Sequence, residues 1–445
     1  MRLLSRIVKV CTGAVLVGLI GVAAWLYLIP PELLRVGSGY AAKIVCSNVF
    51  IAGRDAEEVL AVDVQAPGHP LLKLMHVSVD RTGKRVHAAL FGVFAGNDAV
   101  HRDGLGCTVT PNDETLPGVE TASNAQTPVD ETALWPEGGK AESHPAVAAL
   151  LSRGDLIGSG MRAVVVVKGG RIAGEAYAAG FSKDMPLLGW SMTKTVTAAV
   201  IGTMIRDGRL SAGDKALFRQ WQNDQRTDIS LADLLAMESG LAFNENYGTV
   251  ADVTRMLYLE RDMANFAADQ PLEADPGIRF NYSSGTGVLL SRIWMSRLED
   301  KAALAYPRKA LFEPLGMASA VLEVDAAGTF VGSSYMYATA RDWGRMGLLL
   351  ARDGVWNGNR ILPEGFVEAM RQPNRTSNGR YSRMQTWLPG ASKGLPADTF
   401  ILDGHDGQNI IVIPSLDLVV VRLGLTPERY DPSMLVAEVV KATAP

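Results

Sequence analysis

This sequence lacks a large excess of either positive or negative charge. Its 43 lysine and arginine residues nearly balance its 47 aspartate and glutamate residues, so the formal net charge is −4 over 445 residues. A nucleic-acid-binding protein concentrates basic residues to meet phosphate groups, and this chain has no such basic excess. We therefore expect no nucleic-acid partner. The chain is long enough to bury a large core.

Motifs for metal and phosphate binding are missing as well. The six histidines show neither H-E-x-x-H nor H-x-H spacing, and the three cysteines include no pair close in sequence. A metal ion needs such clustered ligands. Gly169 and Gly170 fall in a predicted hairpin turn rather than in a phosphate-binding loop. We expect neither a metal nor a cofactor.

The N-terminus departs from this even character. Arg2, Arg6 and Lys9 precede an uncharged apolar run over residues 10–29, which is long enough to cross a bilayer. The basic side before the run predicts a cytoplasmic N-terminus, with the rest of the chain outside the cytoplasm. We interpret residues 1–34 as a membrane anchor. The alternative is a cleaved signal peptide, whose apolar core is usually shorter and is followed by an A-x-A site that is missing here.

Two further regions precede the main domain. Residues 35–110 predict a small β-rich region, since "LLKLMHVSVD" and "KRVHAALFGVF" alternate around the turn signal "RTGK". Cys46 and Cys107 lie in it, and either form a disulfide in an oxidising compartment or remain two separate buried thiols. Residues 111–143 are polar, acidic and rich in proline and threonine, which predicts a linker or a surface-hugging segment.

The main domain, residues 144–445, has the pattern of an α+β fold. A short amphipathic helix and a hairpin in "MRAVVVVKGGRIAGEAYAAG" come first, a long and mostly helical middle follows, and the strands of "NIIVIPSLDLVVVRLG" come last. Terminal antiparallel strands can share one sheet flanked by helices. Alternating βαβ units and a G-x-S-x-G elbow are both missing, which argues against a doubly wound fold.

The stretch "GWSMTKTVTAAVIG" places a serine and a lysine three residues apart at a predicted helix start. On a helix, Ser191 and Lys194 would lie side by side on one face. Lysine serves as a base only when its amine is neutral, and burial beside Trp190 and Val196 would lower its pKa accordingly. The alternative is an ordinary helix start, with Ser191 as N-cap and Lys194 in solvent.

The surroundings of the pair resemble the serine β-lactamase and penicillin-binding-protein superfamily. Besides its S-x-x-K element, the sequence has "LADLLAMESGLAFNENYG", "DPGIRFNYSSGTGVLLSRI", a late helical segment from "GSSYMYATARDWGRMG" and "DGHDGQNIIVIPSLDLVVVRLG" in the order that superfamily uses. The resemblance covers residues 146–425 and is closest to the class C-like branch of 6-aminohexanoate-dimer hydrolases and carboxylesterases. It implies a β-lactamase-like fold, an antiparallel sheet flanked by helices plus a mostly helical subdomain.

The resemblance also implies roles for individual residues. It makes Ser191 the acylated nucleophile and Lys194 its proton acceptor. Tyr282, which begins "YSS", falls where the class C-like branch has a tyrosine that shares this proton and delivers it to the leaving group. A nearby lysine ammonium would stabilise the tyrosine phenolate as a base. Taken without the resemblance, Tyr282 would fit an ordinary core or rim tyrosine better.

Two departures from the family pattern bear on the substrate. Ser284 replaces an asparagine whose amide would hold a substrate carbonyl, and we take Ser284 and Trp190 as candidate substrate contacts. The Lys-Thr-Gly motif of β-lactamases is replaced by His405, Asp406 and Gly407. A histidine is mostly neutral at pH 7, so this motif is poorly suited to a substrate carboxylate. Gly407 would let substrate approach the strand edge.

The resemblance makes the backbone N–H of Gln408 an oxyanion donor together with that of Ser191. The sequence therefore predicts a membrane-anchored, extracytoplasmic serine hydrolase that cleaves an amide or ester of a small linear substrate. A cell-wall DD-peptidase or β-lactamase is the first alternative, and a non-catalytic binding protein that retains the fold is the second. The sequence does not indicate which oligomeric state the protein adopts. The aromatic candidates for the pocket, each of which fits a core or surface role equally well, are Tyr247, Tyr381 and Trp387.

Overall fold

An exposed apolar helix, α1 (Arg2–Leu28), begins the chain in the computed structural model, which describes residues 2–111, 116, 130–390, 394–428 and 430–444. Within these residues α1 is the one helix long and apolar enough to cross a membrane, over Arg6–Leu28. Its length and composition fit either the predicted anchor or a signal sequence.

Residues 32–111, which we call the N-terminal module, combine a helix with an antiparallel sheet of four strands. The predicted hairpin forms, with Asp80 opposite Arg85 across the turn. The 19-residue helix α2 was not predicted from the sequence. It packs against all four strands and contains the expected boundary between anchor and β-rich region. The elements are α2 (Glu32–Phe50), α3 (Ala56–Val59), β1 (Met75–Asp80), β2 (Arg85–Leu90), β3 (Phe94–Arg102) and β4 (Gly106–Thr110).

A disulfide between Cys46 and Cys107 joins α2 to β4. Its two Cα atoms are 6.1 Å apart, and both side chains are fully buried. The alternative of two unrelated thiols is therefore wrong. The bond fixes the helix on the sheet from inside the module.

The predicted linker, residues 111–143, is described only in part, because residues 112–115 and 117–129 lie outside the described residues. Its last part is packed against the main domain. Trp135 is 1% exposed, and the guanidinium carbon of Arg345 lies 5.2 Å from the centroid of its ring. This part hugs the surface rather than spanning a gap.

A five-stranded antiparallel sheet organises the main domain, so the predicted α+β architecture is confirmed. The strands of the main domain are β5 (Met161–Lys168), β6 (Arg171–Tyr177), β7 (Leu187–Leu188), β8 (Val321–Leu322), β9 (Met336–Ala338), β10 (Val355–Trp356), β11 (Asn359–Arg360), β12 (Phe400–Gly404), β13 (Gln408–Ile413) and β14 (Leu418–Gly424). In the five-stranded sheet the last strands lie beside the first hairpin, in the order β12, β13, β14, β5, β6.

Both faces of this sheet are buried, which explains its unbroken runs of β-branched residues. Val165 and Val167 of β5 face the large core, while Val164 and Val166 face a smaller one. Helices cover both faces and form the middle of the domain. They are α4 (Pro145–Leu151), α5 (Gly154–Ile157), α6 (Met192–Arg206), α7 (Leu231–Leu235), α8 (Asp252–Leu259), α9 (Met263–Ala268), α10 (Ser284–Met295), α11 (Asp300–Pro307), α12 (Glu313–Leu315), α13 (Ala340–Ala351), α14 (Phe366–Arg371) and α15 (Ser433–Ala442).

A buried ion pair connects the N-terminal module to the main domain. Lys43 of α2 pairs with Glu323, and both side chains are nearly inaccessible to solvent. The carboxylate of Glu323 also accepts hydrogen bonds from Ser47 Oγ at 2.8 Å and from the Cys107 backbone N–H at 2.6 Å. Burial lowers the pKa of Lys43, and the charge of Glu323 opposes this shift. One carboxylate thus satisfies three donors of the module.

We predict that Glu323→Leu lowers the free energy of unfolding by about 3–5 kcal/mol, because it leaves the Lys43 ammonium buried without a partner. Urea denaturation of the full-length protein in detergent measures this. The Lys43→Met, Glu323→Leu double variant should regain most of the loss. Glu438→Leu, which breaks the exposed pair with Lys441, is the control and should leave the free energy of unfolding nearly unchanged, because solvent screens that pair. Equal destabilisation of the single and double variants would contradict a charge-based cause.

Candidate active site

A tight turn before α6 positions Ser191. β7 ends at Leu188, Trp190 adopts a left-handed φ of 47°, and Ser191 follows as the N-cap residue of α6. Gly189 is required here, since a Cβ atom on it would lie 2.3 Å from the Trp343 ring. The Ser191 side chain makes no capping hydrogen bond. The interpretation of Ser191 as an ordinary N-cap therefore explains its position in the chain, but its hydroxyl has no capping role.

The hydroxyl of Ser191 lies instead beside the amine of Lys194. Lys194 is 1% exposed, and its Nζ donates to Ser191 Oγ at 3.1 Å, to Ser284 Oγ at 3.2 Å and to the Ser333 carbonyl at 3.0 Å. No carboxylate in the described part of the chain forms an ion pair with it. Burial lowers the pKa of Lys194 to about 8, against an opposing effect of Glu245. A substantial fraction of this amine is neutral near pH 8.

Glu245 is the residue of this site that the sequence analysis missed. Its carboxylate accepts hydrogen bonds from the Ser284 backbone N–H at 2.8 Å and from Ser284 Oγ at 2.5 Å. Tyr247 contributes a hydroxyl 3.4 Å from the same carboxylate and from Ser284 Oγ. The signal available in the sequence was its position two residues before Tyr247, a predicted pocket residue. The position of this loop in space depends on tertiary packing, which the sequence pattern does not reveal.

Ser284, a predicted substrate contact, is fully buried. Its hydroxyl bridges Lys194 and Glu245 instead of facing open space, so the expected substrate contact gains no support from this position. The bridge instead connects the negative charge of Glu245 to the amine. Ser284 thereby contributes to the electrostatic environment of Lys194.

Tyr282 lies over the other side of Lys194, whose Nζ is 4.6 Å from the centroid of the tyrosine ring. Burial, with Glu245 adding to it, raises the pKa of Tyr282, and polar contacts with Ser191 and Trp387 lower it less. This direction is opposite to the phenolate stabilisation expected from the sequence, because desolvation and the charge of Glu245 both disfavour the phenolate. A protonated phenol beside the serine is suited to donate a proton rather than to accept one.

Aromatic side chains enclose Tyr282. Its ring centroid lies 5.2 Å from that of Trp387 and 5.8 Å from that of Tyr381, and the latter two are 4.9 Å apart at 86°. Tyr381 and Trp387 were candidate pocket residues in the sequence. They pack edge to face around the phenol, which excludes water from one side of it.

A tight turn between β12 and β13 brings His405 to the opposite side of the site. Asp406 and Gly407 take left-handed φ values of 58° and 81°. The His405 ring stacks on Tyr247 with centroids 5.5 Å apart, and meets the edge of Trp190 at 5.7 Å. The side chain of His405 is 54% exposed. It is therefore accessible beside Trp190, one residue from Ser191.

Gln408 holds this turn closed through its side chain. Its Nε2 donates to the Gly424 carbonyl at 2.7 Å and to the His405 carbonyl at 3.0 Å, and its Oε1 accepts from the Gly424 N–H at 2.8 Å. Gly404 pairs with Gln408, and a Cβ at Gly404 would lie 2.3 Å from the Gly189 carbonyl. The turn thus lies against the segment that leads to Ser191. The oxyanion role of the Gln408 backbone N–H stays a prediction.

The structure brings the predicted residues into one region. Ser191, Lys194 and Tyr282 form its centre, and Trp190 and His405 form its rim. Gly407 and Gln408 shape the adjacent turn. Among the residues that the structure describes, no group of three or more histidine, cysteine, aspartate or glutamate side chains is placed to hold a metal ion. The arrangement is suited to nucleophilic attack by Ser191 with a lysine base.

The family model described as Beta-lactamase matches residues 155–434. The chain is 27% identical over 296 residues to the 6-aminohexanoate-dimer hydrolase of Paenarthrobacter ureafaciens, covering 60% of this chain and 73% of that protein.

Two solved structures share the fold. A Bacillus anthracis protein named "Putative 6-aminohexanoate-dimer hydrolase" aligns with a TM-score of 0.55 at 21% identity, over 71% of this chain and 84% of its own. A penicillin binding protein from Bacillus halodurans aligns with a TM-score of 0.51 at 16% identity, over 67% and 100%. The main domain accounts for the match to the family model, whereas the N-terminal module precedes it.

We predict that kcat/KM for an ester rises with pH through an apparent pKa of about 8. This is the behaviour expected of a site in which the free amine of Lys194 accepts the proton, since that form is populated only above that pKa. Glu245→Gln should move this midpoint to lower pH, since the carboxylate raises the pKa of the amine. pH-rate profiles of both proteins measure the shift. Glu364→Gln at an exposed position is the matched control. A midpoint that moves to higher pH in Glu245→Gln would contradict this account.

Proposed function

Because this chain belongs to the β-lactamase family of serine hydrolases, we propose that it hydrolyses an amide or ester bond through an acyl-enzyme on Ser191. The observation that carries the proposal is the buried amine of Lys194, 3.1 Å from the Ser191 hydroxyl and free of a direct carboxylate partner among the described residues. A lysine so desolvated has a pKa of about 8 and can accept a proton.

The first half of the reaction forms the acyl-enzyme. The neutral amine of Lys194 takes the proton of Ser191 Oγ while this oxygen attacks the substrate carbonyl carbon. The resulting oxyanion would accept hydrogen bonds from the backbone N–H groups of Ser191 and Gln408. Tyr282 donates its phenolic proton to the leaving alcohol or amine, and regains a proton from the Lys194 ammonium. The carbonyl–leaving-group bond breaks as the ester to Ser191 forms.

The second half releases the acyl group to water. A water molecule attacks the ester carbonyl and gives its proton to the neutral Lys194 amine, directly or through Tyr282. The bond to Ser191 Oγ then breaks, and the oxygen recovers a proton from the Lys194 ammonium. The product is a carboxylic acid, and the site returns to its starting state.

The proposed substrate is a small linear amide or ester, of the 6-aminohexanoate-oligomer or carboxylester type. The relationship to a 6-aminohexanoate-dimer hydrolase supports a linear amide. The replacement of the third-motif lysine by His405 supports a substrate without the carboxylate that penicillins carry. Cell-wall DD-peptidase or β-lactamase activity is the first competing function, and binding without catalysis is the second.

We also propose that the protein is held in a membrane by α1, with the main domain outside the cytoplasm. The buried Cys46–Cys107 disulfide supports this location, since such bonds persist in oxidising compartments. The candidate membrane span Arg6–Leu28 supports attachment.

The test is turnover of p-nitrophenyl acetate and butyrate, a linear 6-aminohexanoate dimer and nitrocefin by the full-length protein in detergent. We predict that Ser191→Ala and Lys194→Met each lower kcat by about 10³-fold or more, since they remove the nucleophile and its base. Mass spectrometry of the stopped reaction should find the acyl group on Ser191.

Thr193→Val is the matched control, because Thr193 lies in the same helical turn, is buried, and has an Oγ without a hydrogen-bond partner in the described part of the chain. This variant should retain its activity. Efficient nitrocefin turnover would favour the β-lactamase alternative. Equal background in the unsubstituted protein and Ser191→Ala, without acylation, would favour the non-catalytic alternative.

A further inference from the structure

A cavity of about 500 Å³ adjoins the candidate active site. Trp190 and His405, the residues of the site's rim, form one end of its lining together with Tyr247. Trp190 directly precedes the nucleophile proposed above, so this end of the cavity lies at the rim of the candidate active site. Its size falls within the range that holds a ligand of drug-like dimensions.

The N-terminal module provides the opposite wall, and this wall is mostly apolar, with Tyr40 and His69 as the polar side chains of its described lining. Leu33 and Val36 of α2 line it together with Leu71, Leu72 and Met75. Asp406 is the one acidic residue of the described lining, and no lysine or arginine lines it. A lining of this composition favours an apolar group over a carboxylate or phosphate.

The wall is fixed in place rather than loosely apposed. The ion pair of Lys43 with Glu323 holds α2 on the main domain, and Arg162 of the main domain pairs with Asp63 of the module at 2.6 Å. Gly39 lets α2 approach α8 closely, since a Cβ there would lie 3.0 Å from the Cβ of Tyr258, itself a lining residue. The cavity is therefore a built feature of the interface between module and main domain.

The same wall lies near the candidate membrane span. Leu33 follows the end of α1 by five residues, and α1 packs against β3. Phe91 and Val93, in the turn that leads into β3, are 55% and 59% exposed. Exposed apolar side chains beside an apolar helix are typical of a surface that meets a lipid bilayer. The module wall of the cavity thus follows directly in the chain on the segment that would enter a bilayer.

We propose that this cavity binds an unbranched apolar chain of the substrate, so that the enzyme acts on esters or amides of long-chain amphiphiles. The inference rests on the acyl-enzyme chemistry proposed for Ser191 and specifies the substrate class of that site. The family match begins at residue 155, whereas the apolar wall lies between residues 33 and 75. The chain preference is therefore a property that the N-terminal module adds to the family's main domain.

The test compares kcat/KM of the full-length protein for p-nitrophenyl esters from acetate to dodecanoate, each below its aggregation concentration. We expect kcat/KM to rise roughly two- to fourfold per added methylene until the cavity is filled. Leu33→Arg, at a position that is 36% exposed, should lower the decanoate-to-acetate ratio at least tenfold. Val62→Arg, 43% exposed on the same module and outside the lining, should leave both rates unchanged. Thr249→Trp narrows the cavity from the main domain and should lower the same ratio.

Two further comparisons identify the position of the substrate's apolar chain and the source of the substrate. Comparing the rates of hydrolysis of decyl acetate and p-nitrophenyl decanoate shows whether the apolar chain lies on the alcohol or the acyl side of the bond. The second comparison measures the rate of hydrolysis of one long-chain ester in two forms: dissolved as monomers, and in phosphatidylcholine vesicles that contain the protein. Faster hydrolysis of the monomers indicates a dissolved amphiphile as substrate, and faster hydrolysis in the vesicles indicates a bilayer lipid.

A flat chain-length profile, with acetate still hydrolysed through Ser191, would overturn the chain proposal and leave the proposed function standing. Absence of any acylation of Ser191 by every ester would overturn both. A decanoate-to-acetate ratio that falls equally in Val62→Arg and Leu33→Arg would also overturn the assignment of the cavity.

Discussion

The removal of one lysine amine from water is the constraint on which the site depends. An ammonium buried without a carboxylate at salt-bridge distance loses its hydration and gains little in return, so its neutral form becomes accessible. Lys194 is placed in this situation by α6, by the close approach of Gly189 to Trp343 and by the turn at Gly404. Glu245 acts through Ser284 and limits the effect, which keeps the amine near the physiological range.

A second buried lysine in the same chain shows the contrast. Lys43 is as inaccessible as Lys194, but it faces Glu323 directly, and its amine is thereby committed to an ion pair. Lys43 therefore has a structural role, whereas the amine of Lys194 is available for chemistry. The difference between them is one carboxylate at contact distance, that of Glu323. The ion pair of Lys43 with Glu323 also holds in place the module that forms one wall of the cavity.

The sequence predicted the parts of this arrangement that are encoded locally. The two terminal hairpins follow from β-branched runs interrupted by Gly169-Gly170 and by Pro414 to Asp417, and the juxtaposition of Ser191 with Lys194 follows from helical geometry. α2 was missed because its buried residues surround most of the helix, which removes the one-sided stripe that marks an amphipathic helix. Glu245 and the cavity depend on contacts between distant segments, of which Lys43 with Glu323, 280 positions apart, is the extreme case. The burial of Ser284 could not be seen from its motif for the same reason.

The position of Glu323 also has a consequence for how the chain matures. The module is synthesised first, yet Lys43, Ser47 and the Cys107 N–H acquire their shared acceptor only when the middle of the chain has emerged. The central sheet likewise waits, because β5 pairs with β14, the last strand to be made. Both halves therefore reach their final form together, late and through long-range contacts, which is a slow topology to assemble. A chain cut between module and main domain would separate Lys43 from Glu323 and expose a core to which both parts contribute. The boundary that is most visible in the sequence is therefore a poor place to divide the protein.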